Sequence, residues 1–111
     1  MQFYNKFSYY NNKLLYAHSR YSDKQYPISY WRTASGIEVD YILGNHQVAI
    51  EVKASDNIQT RHLNGLKAFM EEYEVEKSIL ISFEPYARKV DDIMILPWNI
   101  FLSKLWDGEI V

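Results

Sequence analysis

The sequence predicts an α/β domain in which a central mixed sheet of four to five strands is flanked by helices. Three observations lead there. Apolar residues recur at steps of three and four around residues 3–21, 59–73 and 98–106, the spacing of one helix face. Between them, "IEVDYIL" alternates apolar and charged side chains, while "KSILISF" is almost wholly apolar. Their order (helix, three strands, helix, two strands, helix) places helices on both faces of one sheet. A length of 111 residues suits a single domain, 1–111, with one core.

Taken in chain order, Phe3, Phe7, Tyr10, Leu14, Ala17 and Tyr21 form the predicted inner stripe of the first helix. "SRYSDKQYP" is a polar connection, and Pro27 stops any helix before it. "ISYWRT" is β-branched and aromatic and reads as a strand; "ASG" turns the chain into "IEVDYIL". Gly44-Asn45 reads as a two-residue hairpin turn leading to the return strand "QVAIEVKA". Asp56 or Ser55 can cap a helix from about Gln59 to Tyr73, with Leu63, Leu66, Phe69, Met70 and Tyr73 inward. "KSILISF" and "DDIMILP" are the last strands; "WNIFLSKLW" closes as a helix with Trp98, Phe101, Leu102 and Leu105 inward.

Composition removes several function classes. The chain is 48% hydrophobic and 23% charged, inside the globular range. Its net charge of -2 provides no global attraction to nucleic acid, so phosphate contacts need a local basic patch or a bound cation. Without cysteine, disulfides and thiolate metal sites are excluded. No apolar run approaches a membrane span and no secretory signal pattern opens the chain, so a soluble cytoplasmic protein is expected. The three histidines, His18, His46 and His62, are too scattered for a zinc pattern.

The charged residues inside "IEVDYILGNHQVAIEVK" ask for a reason, because charge on a half-buried sheet carries a desolvation cost. If Gly44 and Asn45 form the whole loop, Leu43 pairs with His46, Asp40 with Ala49 and Glu38 with Glu51. Glu38, Asp40, Glu51 and Lys53 then share one face, with Asp40 and Glu51 as diagonal neighbours about 7–8 Å apart. Two such carboxylates can take one divalent ion, and Glu38 can join them as a third ligand. Lys53 would set its ammonium beside the phosphate or water at that ion, the arrangement used in metal-assisted phosphate hydrolysis. The competing account is a solvent-facing sheet surface.

Those residues also carry a resemblance. "YWRTASGIEVDYILGNHQVAIEVKASDNIQTRHLNGLKAF", followed by "LPW", closely resembles the C-terminal domain of unknown function carried by many bacterial and archaeal P-loop ATPases of AAA type. That domain is similar to the restriction-endonuclease-like PD-(D/E)xK superfamily, marked by an acidic residue, a gap and then Asp/Glu-x-Lys. The resemblance implies Asp40 and Glu51 as metal ligands, Lys53 as the catalytic lysine, and Mg²⁺ or Mn²⁺ as cofactor. It implies a restriction-endonuclease-like fold and hydrolysis of DNA. Two departures stand out: residues 1 to 22 hold no Glu or Asp, where nuclease relatives often carry a helix glutamate, and no Gly-x-x-x-x-Gly-Lys-Ser/Thr is present. Nucleotide binding through a P-loop is therefore not expected, and the chain looks like a separated C-terminal piece.

Further candidates are Arg61, His62 and Lys67, with Gln59, near the start of the second helix, where they could meet nucleic-acid phosphate; the plainer account is a solvated helix face. Trp31 and Trp98 could stack on bases, although core packing is the stronger expectation, and His46 reads as a turn residue. Tyr4, Tyr9, Tyr10 and Tyr16 make an aromatic helix surface of the kind found at interfaces. Two readings result: a divalent-metal nuclease, or a non-catalytic module that dimerises or docks to an ATPase.

Overall fold

In the computed structural model, which describes residues 6–111 with side chains from Tyr10 onward, the apolar runs become the middle of one six-stranded sheet. The strands are β1 (Ile28–Arg32), β2 (Glu38–Leu43), β3 (Val48–Val52), β4 (Lys77–Ser82), β5 (Arg88–Val90) and β6 (Ile93–Pro97). The helices are α1 (Lys6–Tyr21), α2 (Asn64–Glu72) and α3 (Trp98–Trp106), with a 3₁₀ turn at Thr60–Leu63. The spatial order is β1-β2-β3-β4-β6-β5. β1, β2 and β3 form the expected antiparallel meander; β3, β4 and β6 are parallel neighbours, and β5 returns antiparallel on the outer edge. None of the helices of the described residues is long and apolar enough to cross a membrane.

The sheet is larger than the four to five strands expected, because β5 is a three-residue edge strand with no apolar pattern to announce it. It is joined to β6 through Asp91 and Asp92, both at positive φ (50° and 67°), with Val90 paired to Ile93. Two left-handed residues in succession are what a tight two-residue hairpin turn requires.

Each face of the sheet is covered. Ile50, Val52, Ile79 and Ile81 pack with Leu15 of α1 and Phe101 and Leu105 of α3. On the other face Ile42, Ala49, Leu80 and Ile95 meet Leu66 and Phe69 of α2. Full burial of a side chain such as Phe69 or Leu66 contributes about 1.5–3 kcal/mol. β3 and β4 lie at the middle of the sheet and are buried on both sides, which explains the apolar runs Val48–Ile50 and Ile79–Ile81 within them.

Helix details differ from the sequence expectation. Among the described side chains of α1 the buried ones are Asn11, Leu15 and His18, one position out of phase with the predicted stripe, and Tyr10 and Tyr21 are exposed. The reason lies in His18, whose Nδ1 meets the Tyr26 hydroxyl at 2.8 Å while its ring stands edge-on to Trp106. Phe3 and Tyr4 lie outside the described residues, as do the side chains of Phe7 and Tyr9. The predicted helix from Gln59 begins instead as the 3₁₀ turn, in which the Gln59 N–H donates to His62 Nδ1 at 2.8 Å. In α3 Phe101 and Leu105 are buried as expected, but Trp98 is exposed.

A half-buried ion pair ties the loop after β4 to the loop after β3. Arg88 donates through Nε to Glu84 Oε1 (2.8 Å) and through Nη2 to Glu84 Oε2 (3.0 Å) and the Ile58 carbonyl (3.1 Å). The Ile58 N–H donates to the same carboxylate at 2.8 Å.

Candidate functional site

The hairpin that carries the charged residues turns more widely than expected. Leu43 pairs with Val48, Ile42 with Ala49 and Tyr41 with Ile50, so the loop holds residues 44–47 rather than two residues. Gly44 (φ 68°) and His46 (φ 60°) supply the left-handed conformations, and the Gln47 N–H donates to the Leu43 carbonyl at 3.1 Å. His46 is more than a turn residue: its ring lies 4.3 Å from that of Tyr73 and edge-on to Phe69 at 5.5 Å. The register therefore moves by two residues. Continued one step beyond Tyr41 and Ile50, it sets Asp40 against Glu51, where Asp40 against Ala49 was expected.

A second irregularity aims Asp40. Ser29 pairs with Ile42 but Trp31 with Val39, so one β1 residue, Tyr30, faces two β2 residues, Asp40 and Tyr41. This β-bulge explains why Val39 packs on the α2 side while Tyr41, two residues on, packs on the α1 side. The expectation that all four charges share one face is thereby corrected. Glu51 lies between Ile50 and Val52, which both face α1 and α3, so it leaves its strand toward the α2 side; Asp40 approaches from the α1 side.

The two meet where the ladder between β2 and β3 ends. Val52 N–H donates to Asp40 Oδ2 at 2.8 Å, and Asp40 N–H donates to Glu51 Oε1 at 3.1 Å. Side-chain oxygens thus stand in for the strand carbonyls that regular pairing would supply. Lys53 closes the group, its Nζ 3.1 Å from Glu51 Oε2 and its side chain 37% exposed beside a Glu51 side chain of 9%. Lys53 is itself held by its N–H, which donates to the Ile81 carbonyl at 2.9 Å.

The electrostatics are those of two like charges out of water. Burial, and then the charge of Asp40, pushes the Glu51 carboxyl up to about 7, with Lys53 opposing. Burial likewise raises Asp40, against the stabilising N–H of Val52 and the charge of Lys53. Glu38 adds to this field but points elsewhere. It pairs across the ladder with Arg32, not Glu51, and its Oε1 lies 3.3 Å from Arg32 Nε. Glu38 also marks where α2 docks, for a Cβ on Gly65 would run into the Glu38 carbonyl oxygen.

Asp40 opens into a groove of about 770 Å³ between α1 and the start of β2, walled by Asn12, Tyr16, Ser29, Tyr30 and Glu38. Tyr30 and Asn12 carried no signal in the sequence, because their role depends on the bulge and on where α1 lands. Of the basic residues expected near α2, Lys67 is paired with Asp91 at 2.9 Å, Arg61 is exposed, and His62 has its Nδ1 taken by Gln59. Burial lowers the His62 pKa, and the charges of Arg61 and Lys53 lower it further. Trp31 packs edge-on to Phe69 at 5.3 Å.

Among the described residues no three His, Cys, Asp or Glu side chains gather as a ready metal cluster. Asp40 and Glu51 provide a pair. A pair suits a hard cation such as Mg²⁺, which is commonly held by one or two carboxylates with the remaining positions left to water and substrate phosphate.

A family model described as a domain of unknown function, DUF4143, matches residues 9–101. The chain belongs to the DUF4143 family. The matched stretch runs from α1 into α3 and contains the bulge, Asp40, Glu51 and Lys53, so the carboxylate pair and its lysine lie inside the DUF4143 domain. No curated protein and no solved structure was found to match it.

Proposed function

We propose that this DUF4143 domain has a restriction-endonuclease-like fold of PD-(D/E)xK type and hydrolyses phosphodiester bonds in DNA with Mg²⁺ or Mn²⁺. The supporting observation is the meeting of Asp40, Glu51 and Lys53 at the frayed end of the ladder between β2 and β3. Asp40 and Glu51 would hold the cation, which offsets the repulsion that burial imposes on the pair. When bound, such an ion supplies Lewis acidity at the phosphoryl group and acidifies water. The chain supplies the rest. The N–H of Val52 fixes the Asp40 carboxylate, and Asp40 N–H and Lys53 Nζ fix that of Glu51. Lys53, reaching solvent, offers N–H donors to an anionic phosphoryl oxygen. Incubation of plasmid and oligonucleotide DNA with Mn²⁺ tests the reading. Lys53→Ala should lose roughly 100-fold or more of the cutting rate, whereas equal cutting by both proteins refutes it.

A second reading is a non-catalytic module that dimerises or docks to an ATPase. It is favoured by the direction of Glu38, which leaves two carboxylates in place of three, and by exposed Tyr10, Tyr16 and Tyr21 along α1. On a sizing column it expects a dimer or larger, and it is weakened by a monomer.

A further inference from the structure

We infer that His62 is a fixed phosphate-binding residue of the site, giving its Nε2–H to a backbone oxygen of a DNA strand engaged at Lys53. This rests on the hydrolytic reading above and adds a residue that holds its substrate. Lys53 follows Glu51 by two positions and so leaves β3 on the same α2 side, where the 3₁₀ turn of His62 leads into α2. The chain between Lys53 and His62 is pinned along its length. The Lys53 N–H donates to the Ile81 carbonyl and the Phe83 N–H to the Ser55 carbonyl, both at 2.9 Å, which prolongs the pairing of β3 with β4. Ser55 Oγ accepts the Asn57 N–H at 3.1 Å. Ile58 is held twice, its N–H by Glu84 and its carbonyl by Arg88. Gln59 then closes on His62: its N–H donates to Nδ1 at 2.8 Å, and its carbonyl accepts the His62 N–H at 3.0 Å.

A ring nitrogen that accepts an N–H carries no proton, so the neutral imidazole has its proton on Nε2. That N–H is the donor the half-buried ring has to give. Burial and the charges of Arg61 and Lys53 lower the His62 pKa, which keeps the ring a neutral donor near pH 7. Over residues 53–62 Lys53 and Arg61 outweigh Asp56, the local positive balance that an acidic chain needs to meet a phosphate backbone. This balance lies across the sheet from the groove lined by Glu38 and Asp40.

Two variants divide the ring's roles. His62→Asn can keep an oxygen to accept the Gln59 N–H but has no donor at the reach of Nε2, whereas His62→Gln restores a donor there. Fluorescence anisotropy of a labelled DNA duplex in Ca²⁺ reads binding, and cutting in Mn²⁺ reads kcat and KM. His62→Asn should bind roughly tenfold more weakly than the wild type, with an unchanged melting temperature and a raised KM; His62→Gln should retain most of the affinity. This pattern of binding in a protein that cuts nothing supports the inference and sinks only the hydrolytic reading. Cutting with KM unmoved in His62→Asn overturns the inference and leaves that reading standing. Equal affinity in the wild type and His62→Asn also overturns it, as does a wild type that does not bind the duplex. So does a His62→Gln as weak as His62→Asn, whether or not the melting temperature falls, because the ring then serves the turn alone.

Discussion

Asp40 and Glu51 each hold the other's strand: Asp40 Oδ2 takes the N–H of Val52, and Glu51 Oε1 takes the N–H of Asp40. Two carboxylates are thereby fixed side by side before any ligand arrives. That preorganisation opposes folding in the absence of a cation and favours binding when one is present.

Metal should therefore act on stability as well as on rate. At a hundred times its Kd a bound ion contributes about 2.7 kcal/mol, a rise in melting temperature on the order of 10 °C for a domain of this size. Asp40→Asn should abolish the Mn²⁺ response. Without metal it should melt at or above the wild type, since one like charge is gone and the amide oxygen can still accept the Val52 N–H. Differential scanning fluorimetry with and without Mn²⁺ reads both arms.

Gly65→Ala tests the docking of α2. Alanine has the better helix propensity by about 1 kcal/mol, so an open site would gain stability. Here the new Cβ meets the backbone carbonyl of Glu38, which cannot swing aside. A net loss of about 1–3 kcal/mol is expected in urea unfolding, and a stabilised variant would contradict the packing.

The Glu84–Arg88 pair gives an acid-side signature. Its hydrogen bonds from Arg88 hold the Glu84 carboxyl below the ordinary range. A depressed carboxyl contributes stability above its unfolded value of about 4.5, lost as pH falls through the lower folded value. Arg88→Met leaves Glu84 buried without its main partner and should cost roughly 2 kcal/mol near neutral pH, at the low end for broken buried pairs because Arg88 is partly exposed. Adding Glu84→Gln should recover part of that loss, and a double variant no better than the single would count against the pair.

His18 acts in a different pH window. Burial beneath α3 lowers its pKa from 6.5, with the charge of Lys24 adding to the effect and a hydrogen bond to the Leu105 backbone opposing. The folded state then binds fewer protons than the unfolded one, so stability is complete above about 6.5 and declines as pH falls below it. Glu51, pushed up to about 7, acts in the opposite direction over this window. The signature is therefore the difference between two proteins: from pH 7.5 to 5.0 the melting temperature of the wild type should fall relative to that of His18→Phe.

The two-sided burial of β4 is legible because such a strand leaves an apolar run, and the proximity of Asp40, Glu51 and Lys53 is legible from their spacing; β3 reads only as a half-buried return strand, because Glu51 interrupts it. The phase of α1 is not legible, because tyrosine counts as apolar in a pattern while Tyr10 and Tyr21 reach solvent, and the inner positions are Asn11, Leu15 and His18. The four-residue loop places His46 on Tyr73, a contact between segments far apart in sequence that no local pattern announces. A two-residue loop matches Glu38 with Glu51, whereas the four-residue loop moves the register by two and Glu38 pairs with Arg32 on the β1 side. The α/β class and the nearness of the three residues can thus be read locally, whereas the sixth strand and the aim of each side chain are decided by tertiary contacts.

The bulge opposite Tyr30 makes the aim of Asp40 depend on a count of residues as well as on an acidic letter. Remove one residue between Asp40 and Ile42, and every charged position would still satisfy a motif search. The aspartate would nonetheless swing round with its strand, and the same letters would no longer bring their two carboxylates together.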